Sequence, residues 1–470
     1  MRDARWCWVF GAIILASCNL VTPPRGGSDE PGAPSEPADP ADPADPPGPA
    51  EPSGPTQPLP SPGRVVLGSI TVRTAADLAA LTDVAVIGGS LIIDRLDVSA
   101  VVLARLVRVG GRLTIRSQTL VTLKLPALEE VDDDMNIDDN KALTTIDAPR
   151  LQRVGGLSIS ENPVLPDLRG LSALTAVDRD IKLSGNAKLV SAYLPIRTVG
   201  GDVTVLDNSA LVHIAWSLAG PVGNIDIGRH LSLDTVDVTV SGDSSASALN
   251  VHENYRLDRV SVNAQHLGSV LIENNSYLTE ILVMVDRVDG DMTVQRNDKL
   301  NDLSLSATSP QSSAVVIGGA LWIAGPIQTL HSAQPLEVEG NCTITDTHLV
   351  AVDDGSRLTR VGGMLGIWNN ASLVTISPIS LGGGLTVLTN AVLSTLAFVS
   401  QSEIHGNVAV GMNPALRDLG SFESLTQIRG YVQIYQNPRL PSCAANALSP
   451  IVVGTFSQFG NDDTASCAAP

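Results

Sequence analysis

From about residue 65 onward, hydrophobic and polar positions recur in a fixed order. The clearest copy reads Leu143-x-x-Ile146-x-x-Pro149-x-Leu151-x-x-Val154-Gly155-Gly156-Leu157-x-Ile159-x-x-Asn162. Its kernel is an apolar-x-apolar alternation with an asparagine three positions later. The kernel returns at Met135 and Ile137 with Asn140, Ile181 and Leu183 with Asn186, Val203 and Val205 with Asn208, and Met292 and Val294 with Asn297. It returns again at Leu365 and Ile367 with Asn370, Leu385 and Val387 with Asn390, and Val432 and Ile434 with Asn437. About sixteen such rows fit between Ile93 and Ile434 at a period of roughly 22 residues, within the range of leucine-rich and related solenoids.

Each alternation predicts a short strand with one side turned inward. A single row cannot bury its own apolar edge, so the rows must stack. At about 4.8 Å per row they would form a rod on the order of 75 Å long. The expected fold is all-β, a parallel β-solenoid over residues 64–437, with short capping helices and a C-terminal cap over 438–470. Paired glycines before the strand, such as Gly110-Gly111, Gly155-Gly156 and Gly200-Gly201, predict corners that need positive φ or a close backbone approach. Asp133-Asp134 and Asn224 would fill the same role. The recurring asparagine predicts stacked side-chain amides that satisfy corner backbone groups between rows.

Both ends need caps. Thr74-Ala75-Ala76-Asp77 predicts a capped helix leading into Leu78 and Leu81. Ser442 is the expected cap of a second helix running through Leu448. A Ser- and Pro-rich insertion around Thr308 to Ala314 lengthens one row and is a candidate division of the rod into two lobes.

Composition sharpens this picture. Aromatic residues are only 3% of the chain, so Leu, Val and Ile must fill the core. The net charge of −19 argues against a nucleic-acid partner, which needs clustered Lys and Arg. Of the 5 cysteines, Cys443 and Cys467 predict a disulfide that staples the C-terminal loop, and Cys342 falls at an inward position as a buried free thiol.

The N-terminus reads as an export leader over residues 1–17. Arg2 and Arg5 precede a short apolar run from Trp6 to Leu15, too short to span a bilayer. Leu15-Ala16-Ser17-Cys18 resembles the lipobox of bacterial lipoproteins. That resemblance implies cleavage before Cys18, lipid on Cys18 and a membrane as partner; Asn19 after it leans toward the outer membrane. Residues 18–63 then form the expected tether. Three Ala-Asp-Pro triplets end at Pro40, Pro43 and Pro46, a composition that cannot offset its own ordering entropy. Extended at about 3.1 Å per residue, the tether would reach on the order of 100 Å and suit a surface-exposed body.

The Val-Gly-Gly-Leu-x-Ile-x-x-Asn rows, the small N-terminal helix and the closing cysteine pair resemble the receptor L-domain family. That family includes the ligand-binding L domains of insulin and epidermal growth factor receptors, bacterial surface proteins and fungal wall proteins. The resemblance covers nearly all of Val65 to Asn437. It implies a right-handed parallel β-helix and a role in recognition or wall architecture. The chain departs from the receptors in its many more rows and in lacking cysteine-rich modules and a transmembrane helix.

No catalytic motif stands out. There is no Gly-x-Ser-x-Gly, His-Glu-x-x-His or phosphate loop. His213, His230, His252, His266, His331, His348 and His405 are scattered and read as surface or turn residues. Glu129, Glu130, Asp132, Asp133, Asp134, Asp138 and Asp139 crowd one corner; Asp132, Asp133 and Asp134 are the calcium candidates, against a merely solvated turn. The outward strand positions are mostly Thr, Ser, Asn and Asp, but Trp322, Trp368, Leu388 and Tyr435 break that rule. Trp368 and Leu388 share one column in adjacent rows. Exposed aromatics on a sheet suit a glycan or a protein partner. The expected function is a non-enzymatic surface lipoprotein for recognition or adhesion of a glycan or protein, with no cofactor. A structural envelope protein without a discrete ligand, and less so a polysaccharide-degrading β-helix enzyme, are the competing readings.

Overall fold

The computed structural model describes residues 63–352, 355–396, 401–465 and 467. The leader, Cys18 and the tether up to residue 62 lie outside the described residues. The chain from Ser61 onward is one compact unit. It is a parallel β-solenoid of about eighteen turns.

One turn shows how the repeat folds. The strand Arg153–Ser160 pairs in parallel with Glu130–Asp138 in the turn before it and with Ile181–Ser184 in the turn after it. Leu157 and Ile159 point inward and are fully or nearly fully buried. At Glu161 the backbone adopts a left-handed φ of 55°, and this turns the chain at the corner. Buried Asn162 follows, and Leu165, Leu168, Leu171 and Leu174 then carry the core around the rest of the turn. Leu-rich layers thus stack on Leu-rich layers, as a core with so few aromatics requires.

The asparagines form the expected ladder. Asn162 Nδ2 donates to the Ile137 carbonyl at 2.8 Å and to Asn186 Oδ1 at 3.2 Å, while its backbone N–H donates to the same Asn186 Oδ1 at 3.1 Å. The pattern passes from Ser117 through Asn140, Asn162, Asn186 and Asn208 to His230, and on through Asn254 and Asn275 to Asn297. It resumes from Thr347 through Asn370, Asn390, Asn413 and Asn437 to Asn461. His230 is therefore no surface residue; it is fully buried in an asparagine's place.

The glycine pairs before the strand answer only one of their two expectations. None has a positive φ. They are required by close approach: a Cβ on Gly200 would lie 2.1 Å from the Asp178 carbonyl oxygen, and one on Gly110 would lie 2.5 Å from that of Gly88. The left-handed residue sits instead after the strand, at positions such as Asp139, Glu161, Asp207 and Glu253. Asp133, Asp134 and Asn224 are not left-handed either. In that corner a side-chain oxygen of one row accepts an N–H of the next, as Asp202 Oδ1 does from Asn224 at 2.7 Å.

The helix Ala75–Ala79 carries the expected capping box, with Thr74 Oγ1 accepting from Asp77 N–H and Asp77 Oδ2 accepting from Thr74 N–H. The second helix, Ser442–Asn446, ends sooner than expected, and Ser442 does not cap it; its hydroxyl donates to Asp463 instead. The insertion near Thr308 does not divide the rod. Thr308 N–H and Ser312 Oγ both donate to Asp286 Oδ1, and Met292–Gln295 stays paired in parallel with Leu321–Ala324. The solenoid also runs one turn past Asn437, because Phe456–Phe459 pairs in register with Val432–Tyr435. Gln458 occupies the inward position that Ile434 holds in the row before, so the apolar alternation is lost there although the strand is not.

Candidate functional site

The strands that precede each asparagine form one continuous face of the solenoid, from Ile70–Val72 to Phe456–Phe459. Each row presents two outward side chains on it, the second and fourth of its strand. The charges on this face end at Glu273, and the next row, Met292–Gln295, turns only Thr293 and Gln295 outward. Before that row, outward positions include Asp94, Arg116, Asp138, Lys182, Asp226 and Glu273. From Leu321–Ala324 to Phe456–Phe459 no outward position carries a charge.

The four large side chains expected on this face all lie in the uncharged part. Trp368 and Leu388 are paired in register, Leu388 is paired with Gly411, and Gly411 with Tyr435. The column then continues to Phe459, which is 56% exposed. Sequence reasoning missed Phe459 by assigning it to the cap loop; the signal was the Phe456-Ser457-Gln458-Phe459 alternation leading to Asn461.

Trp322 stands in the other column, two rows away from Trp368, yet the two rings meet at 6.2 Å between centroids in an edge-to-face arrangement. Gly366 makes this possible. The Trp368 ring lies back over it, so closely that a Cβ on Gly366 would fall 2.2 Å from the indole. Thr343, between Trp322 and Gly366 in that column, and Thr345, paired with Trp368, are both buried. The same device recurs at Gly411, where the Tyr435 ring covers the backbone and a Cβ would fall 2.5 Å from it. Tyr435 and Phe459 then stack, with centroids 5.4 Å apart and planes 18° apart. At Gly411 the missing side chain lets the Tyr435 ring lie over the backbone, and at Gly366 it gives room to the edge of the Trp368 indole.

The acidic corner has a different explanation from calcium. Arg108 pairs with Asp132 at 2.7 Å, Arg179 with both Asp133 and Asp134, and Arg112 with Asp134 at 3.0 Å. Against the upward push of burial, Arg179 and Arg112 hold the Asp134 carboxyl below its ordinary range. Lys141 does the same for Asp139. The carboxylates are thus paired with guanidinium and ammonium partners, and where Asp133 and Asp134 converge it is on the Arg179 guanidinium. Among the described residues no group of three or more His, Cys, Asp and Glu side chains is placed to hold a metal ion.

Cys443 and Cys467 form the expected disulfide, and Cys342 is a free, fully buried thiol whose pKa burial pushes up to about 12. That environment makes Cys342 unreactive at neutral pH. Among the described residues no helix is long and apolar enough to cross a membrane. Set against known protein families, curated proteins and solved structures, the chain matches none.

Proposed function

We propose that this chain is a non-enzymatic recognition or adhesion protein of the bacterial cell envelope, held by lipid on Cys18. It binds a glycan or protein through the uncharged face between Trp322 and Phe459. The observation that carries this reading is the aromatic strip itself. Aromatic rings gathered on the outside of a solenoid, in the uncharged stretch of one face, are an expense of solubility that a binding surface explains. The lipobox resemblance and the Pro-rich tether support display at a distance from the membrane. The receptor L-domain resemblance of the rows supports recognition over catalysis.

The test is retention of the chain on isolated cell envelopes beside a Trp322→Ala/Trp368→Ala variant. Saturable retention that is lost in the variant supports the reading. Retention equal in both proteins moves recognition off this face, and no retention by either favours a rod and tether whose role is structural.

A further inference from the structure

We infer that the occupant of this face is an uncharged glycan chain lying along the solenoid axis. The inference rests on the recognition reading above and narrows it to one chemistry.

Charge is the first argument. The whole chain carries a net charge of −19, yet the outward positions from Trp322 to Phe459 carry none. Both borders of the face are nearly as neutral. The residue before each strand is Ala320, Asn341, Met364, Gly384, Asn407, Tyr431 or Thr455. The left-handed residue after it, from the row of Leu365 onward, is Asn369, Thr389, Met412, Gln436 or Gly460. An anionic polysaccharide would find no cation here to pair with, and a cationic one no carboxylate beyond Asp346 at the margin.

Shape is the second argument. Seven rows at about 4.8 Å make a strip roughly 29 Å long and only one short strand wide. Compact protein partners need a broader patch, on the order of 800 Å² per side. A linear chain of repeating units fits a narrow strip whose own groups repeat row by row.

Surface chemistry is the third. The Tyr435 ring lies over Gly411 and stacks with Phe459, and the Trp368 indole presses its edge on Gly366 and meets Trp322 edge to face, so ring surface is gathered at both ends of the strip. Ring faces carry negative charge density and attract the polarised C–H face of a pyranose. Between the rings stand Thr386, Gln433 and Ser457 on the strands and Asn407 at the border. Their amides and hydroxyls both donate and accept, as sugar hydroxyls require.

The experiment uses the chain from residue 18 onward, carrying Cys18→Ser so that lipid plays no part. Retention is measured on isolated bacterial envelopes after protease digestion, or after periodate oxidation, which cleaves sugar diols. The expected result is retention that survives protease and 0.5 M salt, and is lost after periodate. It should fall at least tenfold in Trp368→Ala and in Tyr435→Ala, and be kept in Trp368→Tyr, which preserves a flat ring. Face-dependent retention lost to protease would overturn the glycan and leave the recognition reading standing, with a protein as partner. Face-dependent retention abolished by salt would overturn the uncharged ligand. A dimer in sedimentation that Trp322→Ala dissolves, with no envelope retention, would replace the glycan by a second copy of this chain. Retention indifferent to all the variants, or absent without such a dimer, would overturn both the glycan and the recognition face.

Discussion

His230 Nδ1 accepts the backbone N–H of Asn208 at 3.2 Å, so a histidine performs the task that asparagine performs in the neighbouring turns. Its Nε2–H donates to the Val205 carbonyl at 3.1 Å, as an asparagine Nδ2 would. Only the neutral ring can do both. Burial pushes its pKa down to about 4 from 6.5, with Arg229 adding to the effect, against the carbonyls of Asn208 and Val205 and the Asp207 charge, which favour the cation.

The first prediction follows from that geometry. A folded-state pKa below the ordinary value means stability that is full above about pH 6.5 and is lost as pH falls through about 4. The amount at stake is about 3 kcal/mol, at about 1.4 kcal/mol per pKa unit. Urea unfolding of wild type and His230→Asn at pH 7 and pH 4 should show a smaller acid loss in the variant by about that amount. Equal losses would mean that His230 is not held neutral.

Asn275 tests the ladder itself. Its Oδ1 accepts from Asn254 N–H at 3.0 Å, and its Nδ2 donates to the Val251 carbonyl at 2.9 Å, all in buried surroundings. Asn275→Ala leaves two buried backbone groups without partners, at roughly 1–3 kcal/mol each. The loss should be about 2–6 kcal/mol by chemical unfolding. Asn250→Ala, on the outward face, should stay within about 0.5 kcal/mol.

Glycine substitutions should separate crowding from backbone strain. Gly200 has an ordinary φ but no room beneath it, with the Asp178 carbonyl 2.1 Å from a new Cβ. Gly220 has a φ of 93° and nothing within 4 Å of a new Cβ. Gly200→Ala must push two rows apart and should cost about 3 kcal/mol or more. Gly220→Ala carries only the strain of a left-handed alanine, about 1 kcal/mol. Melting curves that rank the two in the opposite order would contradict the close-approach role of the paired glycines.

The disulfide should act locally. Cys443 and Cys467 are 24 positions apart, and closing such a loop contributes roughly 3 kcal/mol in the chain-entropy picture. Each row contacts chiefly its neighbours, so the loss should stay near the end that is released. In the Cys443→Ala/Cys467→Ala protein, hydrogen exchange should quicken at Val432–Tyr435 and Phe456–Phe459 and stay unchanged at Leu113–Arg116. Uniform quickening along the rod would show that the rows unfold together.

The sequence by itself determined the repeat, the inward residues and the asparagine ladder. Leu157, Ile159 and Asn162 could be read as one unit because strand alternation and row period are local properties, and the same physical demand recurs in every row. The Thr74–Asp77 capping box was legible for the same reason. The four large outward residues were legible as exceptions to a rule. What only the tertiary structure decided lies between rows. Glu161 and Glu253 show no propensity that marks them as left-handed; the stacked asparagine that follows each one holds the corner. His230 reads as a surface or turn residue until the rows above and below bury it. Asp132, Asp133 and Asp134 read as a solvated turn or a calcium candidate, and only the structure brings Arg108, Arg112 and Arg179 across them from other rows. Trp322 and Trp368 are separated in sequence and stand in different columns, and they meet because Gly366 has no side chain to hold them apart. Phe459 joins them because a parallel edge templates one further strand, even where Gln458 stands in the place of an apolar residue.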